Sequence, residues 1–164
     1  MKKLKEMKKN NKGFSLVELI IVIAIMAVLM AVLAPQFLRY IERSRLQSDN
    51  TAIGEIANAC KIACANEDVS SEVAAIAAGI DVAVPVGAAN ASTVTVPNTV
   101  PALQAELNAT VGNQVALTSN TYVTDAAGGT TLNMIHVQVT GGVVEVTSTR
   151  YVDEVDGTPD NRTF

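Results

Sequence analysis

The sequence predicts an α+β fold in which a long N-terminal helix, membrane-spanning in its first half, packs on a small antiparallel sheet. Three observations predict it: an apolar run from residue 14, helical periodicity up to residue 66, and two alternating segments joined by Gly141-Gly142. The 164 residues are 49% apolar and 17% charged, which excludes a disordered chain and suits one ordinary domain.

The charge is divided along the chain. Residues 1–13 carry six Lys and one Glu, a net charge of +5, whereas residues 14–164 carry six basic and fifteen acidic residues, a net charge of −9. Lysines beside an apolar segment hold that end on the cytoplasmic side of a membrane. An acidic body lacks the clustered Lys and Arg that phosphate binding requires, so no direct nucleic-acid partner is expected.

The apolar run is long enough to cross a bilayer. Residues 14–34 are broken only by Ser15 and Glu18, and 21 helical residues span roughly 31 Å. A helix that is apolar on every face needs lipid or a bundle of its own copies. A secretory signal cleaved after Ala34 is disfavoured because helical sequence continues beyond it. A plain signal anchor leaves Glu18 unexplained.

The run begins with residues 12–20, KGFSLVELI, which closely resemble the class III signal of type IV prepilins and pseudopilins. The resemblance implies a pilin-like fold and cleavage between Gly13 and Phe14 by a membrane-embedded prepilin peptidase, which then N-methylates Phe14. It also implies that Glu18 pairs with the new amine of a neighbouring subunit during assembly. The alternative for Glu18 is a carboxylate that is tolerated near the membrane interface.

The resemblance also defines the expected organisation of the chain. A cytoplasmic leader of residues 1–13 is removed, residues 14–35 form the membrane and assembly helix, residues 36–66 continue it as an amphipathic helix, and residues 67–164 form the globular domain. Pro35 is expected to kink the helix.

The function implied is that of a structural subunit of a type IV pilus, with neither enzyme activity nor a cofactor. Its expected partners are copies of itself, the prepilin peptidase, and assembly machinery driven by a cytoplasmic ATPase. The subunit would be single-pass in the cytoplasmic membrane, N-terminus in the cytoplasm, before it enters an extracellular filament. A type II secretion pseudopilin and a non-polymerising membrane-anchored binding protein are the alternatives.

The second half of the helix carries an apolar stripe suited to packing on a sheet. The stripe comprises Ile53, Ile56, Cys60 and Cys64. The two cysteines are expected to be buried free thiols. Five charged residues precede the stripe and fit either a solvated surface or ion pairing between subunits: Arg39, Glu42, Arg43, Arg45 and Asp49. No Cys follows Cys64, so packing or hydrogen bonds must hold the C-terminal region, where many pilins have a disulfide.

The globular region is expected to contain two short helices and an antiparallel sheet. Ser70-Ser71-Glu72 indicates a capped helix stopped by Gly79, and Pro101 starts a second helix that ends near Gly112. The hairpin at Gly141-Gly142 sorts apolar and polar residues to opposite faces in one register. Its expected pairs are Val139–Val144, Val137–Val146, Gln138–Glu145 and His136–Thr147, with His136 on the solvent side and Thr121–Thr124 as a third strand.

The acidic stretch near the C-terminus is interpreted as a solvated surface, so no metal site is assigned. Asp153, Asp156 and Asp160 are the weak calcium candidates, because they form an acidic cluster with Glu154 and because major pseudopilins of type II secretion systems, which this family includes, commonly bind calcium in a C-terminal loop. The stretch fails the EF-hand pattern, since Val152 occupies the first ligand position when Gly157 is taken as the invariant glycine.

Overall fold

The computed structural model describes residues 13–87, 93–112, 115–125, 131–152 and 159–164, and it confirms the α+β class. The elements in chain order are α1 Leu16–Ala63, α2 Glu67–Ala74, β1 Ile80–Pro85, α3 Pro101–Thr110, α4 Asn120–Asp125, β2 Thr131–Thr140, β3 Val143–Val152 and β4 Pro159–Thr163. The chain divides into two compact units, Met1–Arg39 and Tyr40–Phe164.

Helix α1 buries one face of its second half in the core of the Tyr40–Phe164 unit. Ile53, Ile56 and Cys60 have no exposed surface and Cys64 is 3% exposed, so the predicted apolar stripe is confirmed. The same core contains apolar residues from three strands and from α2 and α3. Pro35 lies inside α1, and helical structure continues on both sides of it.

The sheet is antiparallel throughout, in the order β1-β2-β3-β4. Strands β2 and β3 pair in the predicted register, which includes Val139–Val144, Val137–Val146, Gln138–Glu145 and His136–Thr147. The hairpin turns at Gly141 and Gly142, whose φ angles are +59° and +82°. Two successive positive φ angles match the twist of the flanking strands, and side chains with a Cβ rarely adopt them.

Both edge strands of the sheet were missed by the sequence prediction. β1 is six residues long and directly follows α2, while β4 is five residues long and lies beside β3. Strands this short carry little periodicity of their own. The partner of β1, strand β2, lies far along the chain, and the pairing of β4 with β3 has an irregular register. The edge of β1 is partly covered, because Ala83 exchanges two backbone hydrogen bonds with Thr95.

Helix α2 begins and ends earlier than predicted. Asn66, and not Ser70, caps it, because the Asn66 side chain accepts a hydrogen bond from the amide of Asp68 at 3.1 Å. The helix ends at Ala74, five residues before Gly79, so Gly79 does not stop it. Helix α3 matches its prediction: Pro101 is its first residue, and it ends at Thr110, just before Gly112 at φ +82°.

The predicted strand at Thr121–Thr124 is wrong, since these residues lie in helix α4. Two carboxylates on α1 favour a helix over a strand at these residues. Asp49 accepts hydrogen bonds from the amides of Thr118, at 2.9 Å, and Ser119, at 2.7 Å, and Glu42 accepts one from the amide of Asn120. These amides lead into the first turn of α4, where helical N–H groups have no partner within the helix.

A buried polar network joins α1, α4 and the end of β3. The Tyr122 hydroxyl donates to Asn50 Oδ1 at 2.7 Å and accepts from the Val152 amide at 3.1 Å. The Asn50 side-chain amide donates to the Val152 carbonyl at 3.0 Å. Each member is at most 5% exposed, so these polar groups depend on one another for partners.

The C-terminal region has further hydrogen bonds to the rest of the domain. Lys61 donates a hydrogen bond to the backbone carbonyl of Phe164, and the Phe164 amide donates to the carbonyl of Val146 at 2.9 Å. Cys60 and Cys64 are free thiols, as predicted. Hydrogen bonds and packing therefore hold this region, as the sequence led us to expect.

Replacing Tyr122 with Phe is expected to lower the free energy of unfolding by about 1–3 kcal/mol. The change deletes one hydroxyl and leaves the Val152 amide and Asn50 Oδ1 buried without that partner. Urea denaturation of a soluble fragment that begins at Tyr40 measures the change. Val123→Ala, at an exposed neighbouring position, serves as the control and is expected to change stability by less than about 0.5 kcal/mol. A Tyr122→Phe variant as stable as the parent contradicts the network's role.

The buried thiols predict a loss of stability in alkali. Burial and, to a smaller extent, the neighbouring Cys64 raise the pKa of Cys60 from 9.0 to about 12. Between these two pH values the unfolded chain releases a thiol proton that the folded chain keeps. The free energy of unfolding should therefore fall as pH rises above 9, by up to about 1.4 kcal/mol per pH unit for this thiol. The urea midpoint should fall less steeply with pH in the Cys60→Ala variant than in the parent chain. Equal slopes in the two proteins would exclude the Cys60 thiol as the cause of the loss of stability.

Candidate processing and assembly site

The candidate site lies where α1 begins. Gly13, Phe14 and Ser15 precede the helix, and the Ser15 carbonyl accepts the first helical hydrogen bond, from the amide of Leu19 at 3.2 Å. Glu18 reaches back across this turn, and its Oε2 accepts a hydrogen bond from the Ser15 amide at 2.9 Å. Ser15 and Glu18 thus stand in the S-x-x-E spacing of a capping box, in which the acidic residue satisfies the amide of the cap residue.

The sequence prediction missed this local role of Glu18. The S-x-x-E spacing before an apolar run is itself a signal for a helix N-terminus and could have identified it. A capping carboxylate also lies favourably at the positive end of the helix dipole. Glu18 therefore has a structural role within one chain, besides the role between chains that the resemblance implies.

The segment that would be cleaved is accessible. Phe14 is 89% exposed, and a Cβ placed on Gly13 would have no atom within 4 Å. A side chain at Gly13 is therefore compatible with the fold of this chain. Any effect of such a side chain on cleavage would arise at the enzyme that cuts the segment.

The apolar half of α1 has no cover within the described chain. Its most apolar window of 18 residues has a mean hydropathy of 3.1, and none of that window is buried. Burial of each large apolar side chain is worth about 1.5–3 kcal/mol, so this surface favours lipid or protein contact strongly. By length and composition, α1 is long and apolar enough to cross a membrane.

The charged residues that precede the apolar stripe of α1 divide into two groups. Asp49 is buried, and with Glu42 it binds backbone amides at the start of α4. These two carboxylates are therefore engaged within the chain. Arg43 and Arg45 are exposed, and the structure shows no ion pair for either among the described residues.

His136 lies on the polar face of β2, as predicted. Its Nδ1 is 2.9 Å from Asp81 Oδ1 on the neighbouring strand β1, and the two side chains are 30% and 57% exposed. Its ring also packs against Gly79, whose φ is +74° and where a Cβ would collide with the imidazole. An exposed pair of this kind contributes little to stability, and its position indicates a contact between strands.

The calcium candidates remain predictions. Asp153 and Asp156 lie outside the described residues, whereas Asp160 lies in β4. Among the residues that the structure does describe, no three His, Cys, Asp or Glu side chains form a group that could hold a metal ion.

The fold and the site together define a class of protein: a chain with an uncovered apolar N-terminal helix whose second half carries an acidic α+β domain. Residues 8–34 match the family model of the prokaryotic N-terminal methylation motif. This motif is the class III signal of type IV pilins and pseudopilins, which are structural subunits and not a class of enzyme.

The match covers 27 of the 164 residues and includes Gly13, Phe14 and Glu18. A search of curated proteins found no significant match, and a search of solved structures found none. The motif therefore supports a type IV pilin-like or pseudopilin precursor, and the apolar helix fits membrane anchoring before assembly.

Proposed function

We propose that this chain is a structural subunit of a type IV pilus, cleaved after Gly13 and assembled into an extracellular filament through α1. The observation that carries the proposal is the methylation motif at the start of a helix whose apolar half is wholly uncovered. A protein that only needed an anchor would require the apolar helix, but not a cleavage motif that leaves this helix as its new N-terminus.

Processing removes the positive charge and keeps the apolar segment. The leader of residues 1–13 carries a net charge of +5, and the remainder of the chain carries −9. Cleavage creates an ammonium group at Phe14, four residues from Glu18. In lipid or in a bundle of helices an ionised carboxylate is costly unless it is paired, so this new amine is the natural partner.

Assembly then covers the exposed surface of α1. Contacts between apolar helices supply affinity but little register, because one apolar face resembles another at many offsets. A buried polar pair restricts the offset, as polar residues do in coiled coils. In this proposal the amine of Phe14 in one copy binds Glu18 of a neighbour, and the cytoplasmic ATPase of the assembly machinery drives extrusion from the membrane.

The N-terminus of the mature protein tests the processing step. Mass spectrometry of the chain isolated from membranes or filaments should find N-methylated Phe14 as the first residue. Gly13→Val should leave at least about tenfold more full-length precursor, because a branched side chain obstructs the scissile bond while the fold has room for it. Asn11→Val is the matched control and should be processed normally. An intact Met1, or a start other than Phe14, would refute the proposed cleavage.

Two substitutions at Glu18 separate its two roles. Glu18→Gln keeps an oxygen that can accept from the Ser15 amide but removes the charge, whereas Glu18→Val removes both. If the carboxylate pairs with an amine of another copy, both variants should be processed yet yield at least about tenfold fewer filaments. The reason is that removing one partner of a buried charge pair costs more than about 1.4 kcal/mol, which corresponds to a tenfold change in an equilibrium constant. Electron microscopy and immunoblots of sheared surface material measure the yield. A normal filament yield from Glu18→Gln would contradict the pairing with an amine of another copy and would leave Glu18 only its role in capping α1.

The same preparations distinguish the pilus subunit from its two alternatives, a secretion pseudopilin and an anchored binding protein. Filaments sheared from the cell surface support a pilus subunit. A methylated subunit without surface filaments, whose deletion abolishes export of other proteins, indicates a secretion pseudopilin. A chain that keeps its leader and stays monomeric in membranes indicates an anchored binding protein.

A further inference from the structure

Helix α1 carries exposed charges of both signs, among them Arg43 and Glu55, and neither of these two has an ion-pair partner among the described residues. Within Tyr40–Phe164, Lys61 binds the carbonyl of Phe164, and Arg162 stacks on Tyr151 at 4.6 Å. Among the described residues the single ion pair is His136 with Asp81. Arg43 and Glu55 are both exposed and take no part in these contacts.

Arg43 and Glu55 cannot reach each other within one chain. They are 12 residues apart on one helix, which corresponds to about 18 Å along its axis. Both are exposed, whereas the buried residues of α1 include Leu46, Ile53 and Ala57. Neither side chain has an ion-pair partner among the described residues, so each is available to a charged group of another molecule.

The surroundings of Glu55 form an open groove of about 590 Å³. One wall is α1, with Ala52, Glu55, Ala59 and Ile62, and the other wall includes Val111 and Val115. Ile62 is 66% exposed, so the groove offers an apolar surface beside a single carboxylate. Ala52 is half-buried and small, so it leaves room beside Glu55 for a side chain of another helix.

The surroundings of Arg43 are complementary to the groove beside Glu55, because they combine a positive charge with a large exposed side chain. Tyr40 lies three residues before Arg43, on an adjacent part of the same helix face, and is 71% exposed. If a second α1 lies parallel to the first with Arg43 level with Glu55, the 12-residue offset also brings Tyr40 level with Ala52. The large Tyr40 side chain then meets the small Ala52, while the opposite charges meet each other.

We infer that Arg43 of one copy binds Glu55 of a second copy of this chain, with Tyr40 packed in the groove beside Glu55. This inference rests on the proposed function, because it takes the parallel α1 helices of a filament as the partners. The contact is heterologous: each copy offers its Arg43 end to one neighbour and its Glu55 end to another. Contacts of this type do not close on themselves in pairs but propagate into a helical array.

A charge swap in the full-length chain, expressed in cells that assemble it, tests the pair. Arg43→Glu and Glu55→Arg alone each place like charges together and should lower the yield of sheared filaments at least about tenfold. The double variant Arg43→Glu with Glu55→Arg restores opposite charges and should recover the yield to within about threefold of the parent. Arg45→Glu is the matched control, because Arg45 is also exposed but lies about 200° around the helix from Arg43.

Crosslinking gives a second measurement that does not depend on filament yield. Arg43→Cys with Glu55→Cys in one chain, treated with a short bis-maleimide, should give a ladder of covalent multimers. Each single cysteine variant should give none. Cys60 and Cys64 should not react because they are buried and burial raises the pKa of both thiols.

The outcomes separate this inference from the proposed function. Normal assembly of both single variants, or a double variant no better than either single one, overturns the pairing while leaving the pilus proposal intact. Loss of filaments in Arg43→Glu without rescue, together with weaker flotation on anionic vesicles, assigns Arg43 to lipid phosphate and also overturns the pairing. Absence of filaments from the parent chain overturns both. Processing of every variant is verified by the mass of its mature N-terminus.

Discussion

The fold depends on one helix that has to satisfy two different surroundings. From Leu16 to the region of Pro35, α1 is apolar on all sides and has no cover within the described chain. From Leu46 onward the same helix buries one face in the core and leaves the other exposed. Because its backbone hydrogen bonds are satisfied within the helix, α1 can continue from its uncovered apolar half into the half that packs on the domain without a break.

The second half of α1 organises the domain through polar contacts as much as through apolar packing. Glu42 and Asp49 bind amides before and within the first turn of α4, and Asn50 binds both α4 and the end of β3. Cross-linking by a disulfide mainly restricts the unfolded chain, whereas these contacts act through the native structure. Their loss should therefore loosen the region at α4 and β3 first, because the groups that Glu42, Asp49 and Asn50 bind lie at the start of α4 and at the end of β3.

The parts that could be predicted from the sequence are those whose signal is local. The 16 residues from Leu19 to Ala34 have no polar side chain, and the alternating strands around Gly141-Gly142 allow one register that sorts both faces. The capping box formed by Ser15 and Glu18 is equally local, because its S-x-x-E spacing lies within one helical turn. Edge strands β1 and β4 escaped prediction because five or six residues carry too little pattern, and their pairing is decided by β2 and β3.

By itself, the sequence determined that the chain has a basic N-terminal segment, an N-terminal methylation motif, an apolar helix and a hairpin, since periodicity, charge and the KGFSLVELI motif can be identified residue by residue. Only the tertiary structure decided which carboxylates are engaged. It pairs Asp49 with backbone amides 69 and 70 residues away and leaves Arg43 and Glu55 exposed on the outer side of α1. The physical reason is that hydrogen-bond partners and solvent exposure depend on which chain segments meet in space, and spacing along one helix cannot specify a partner that lies in another element.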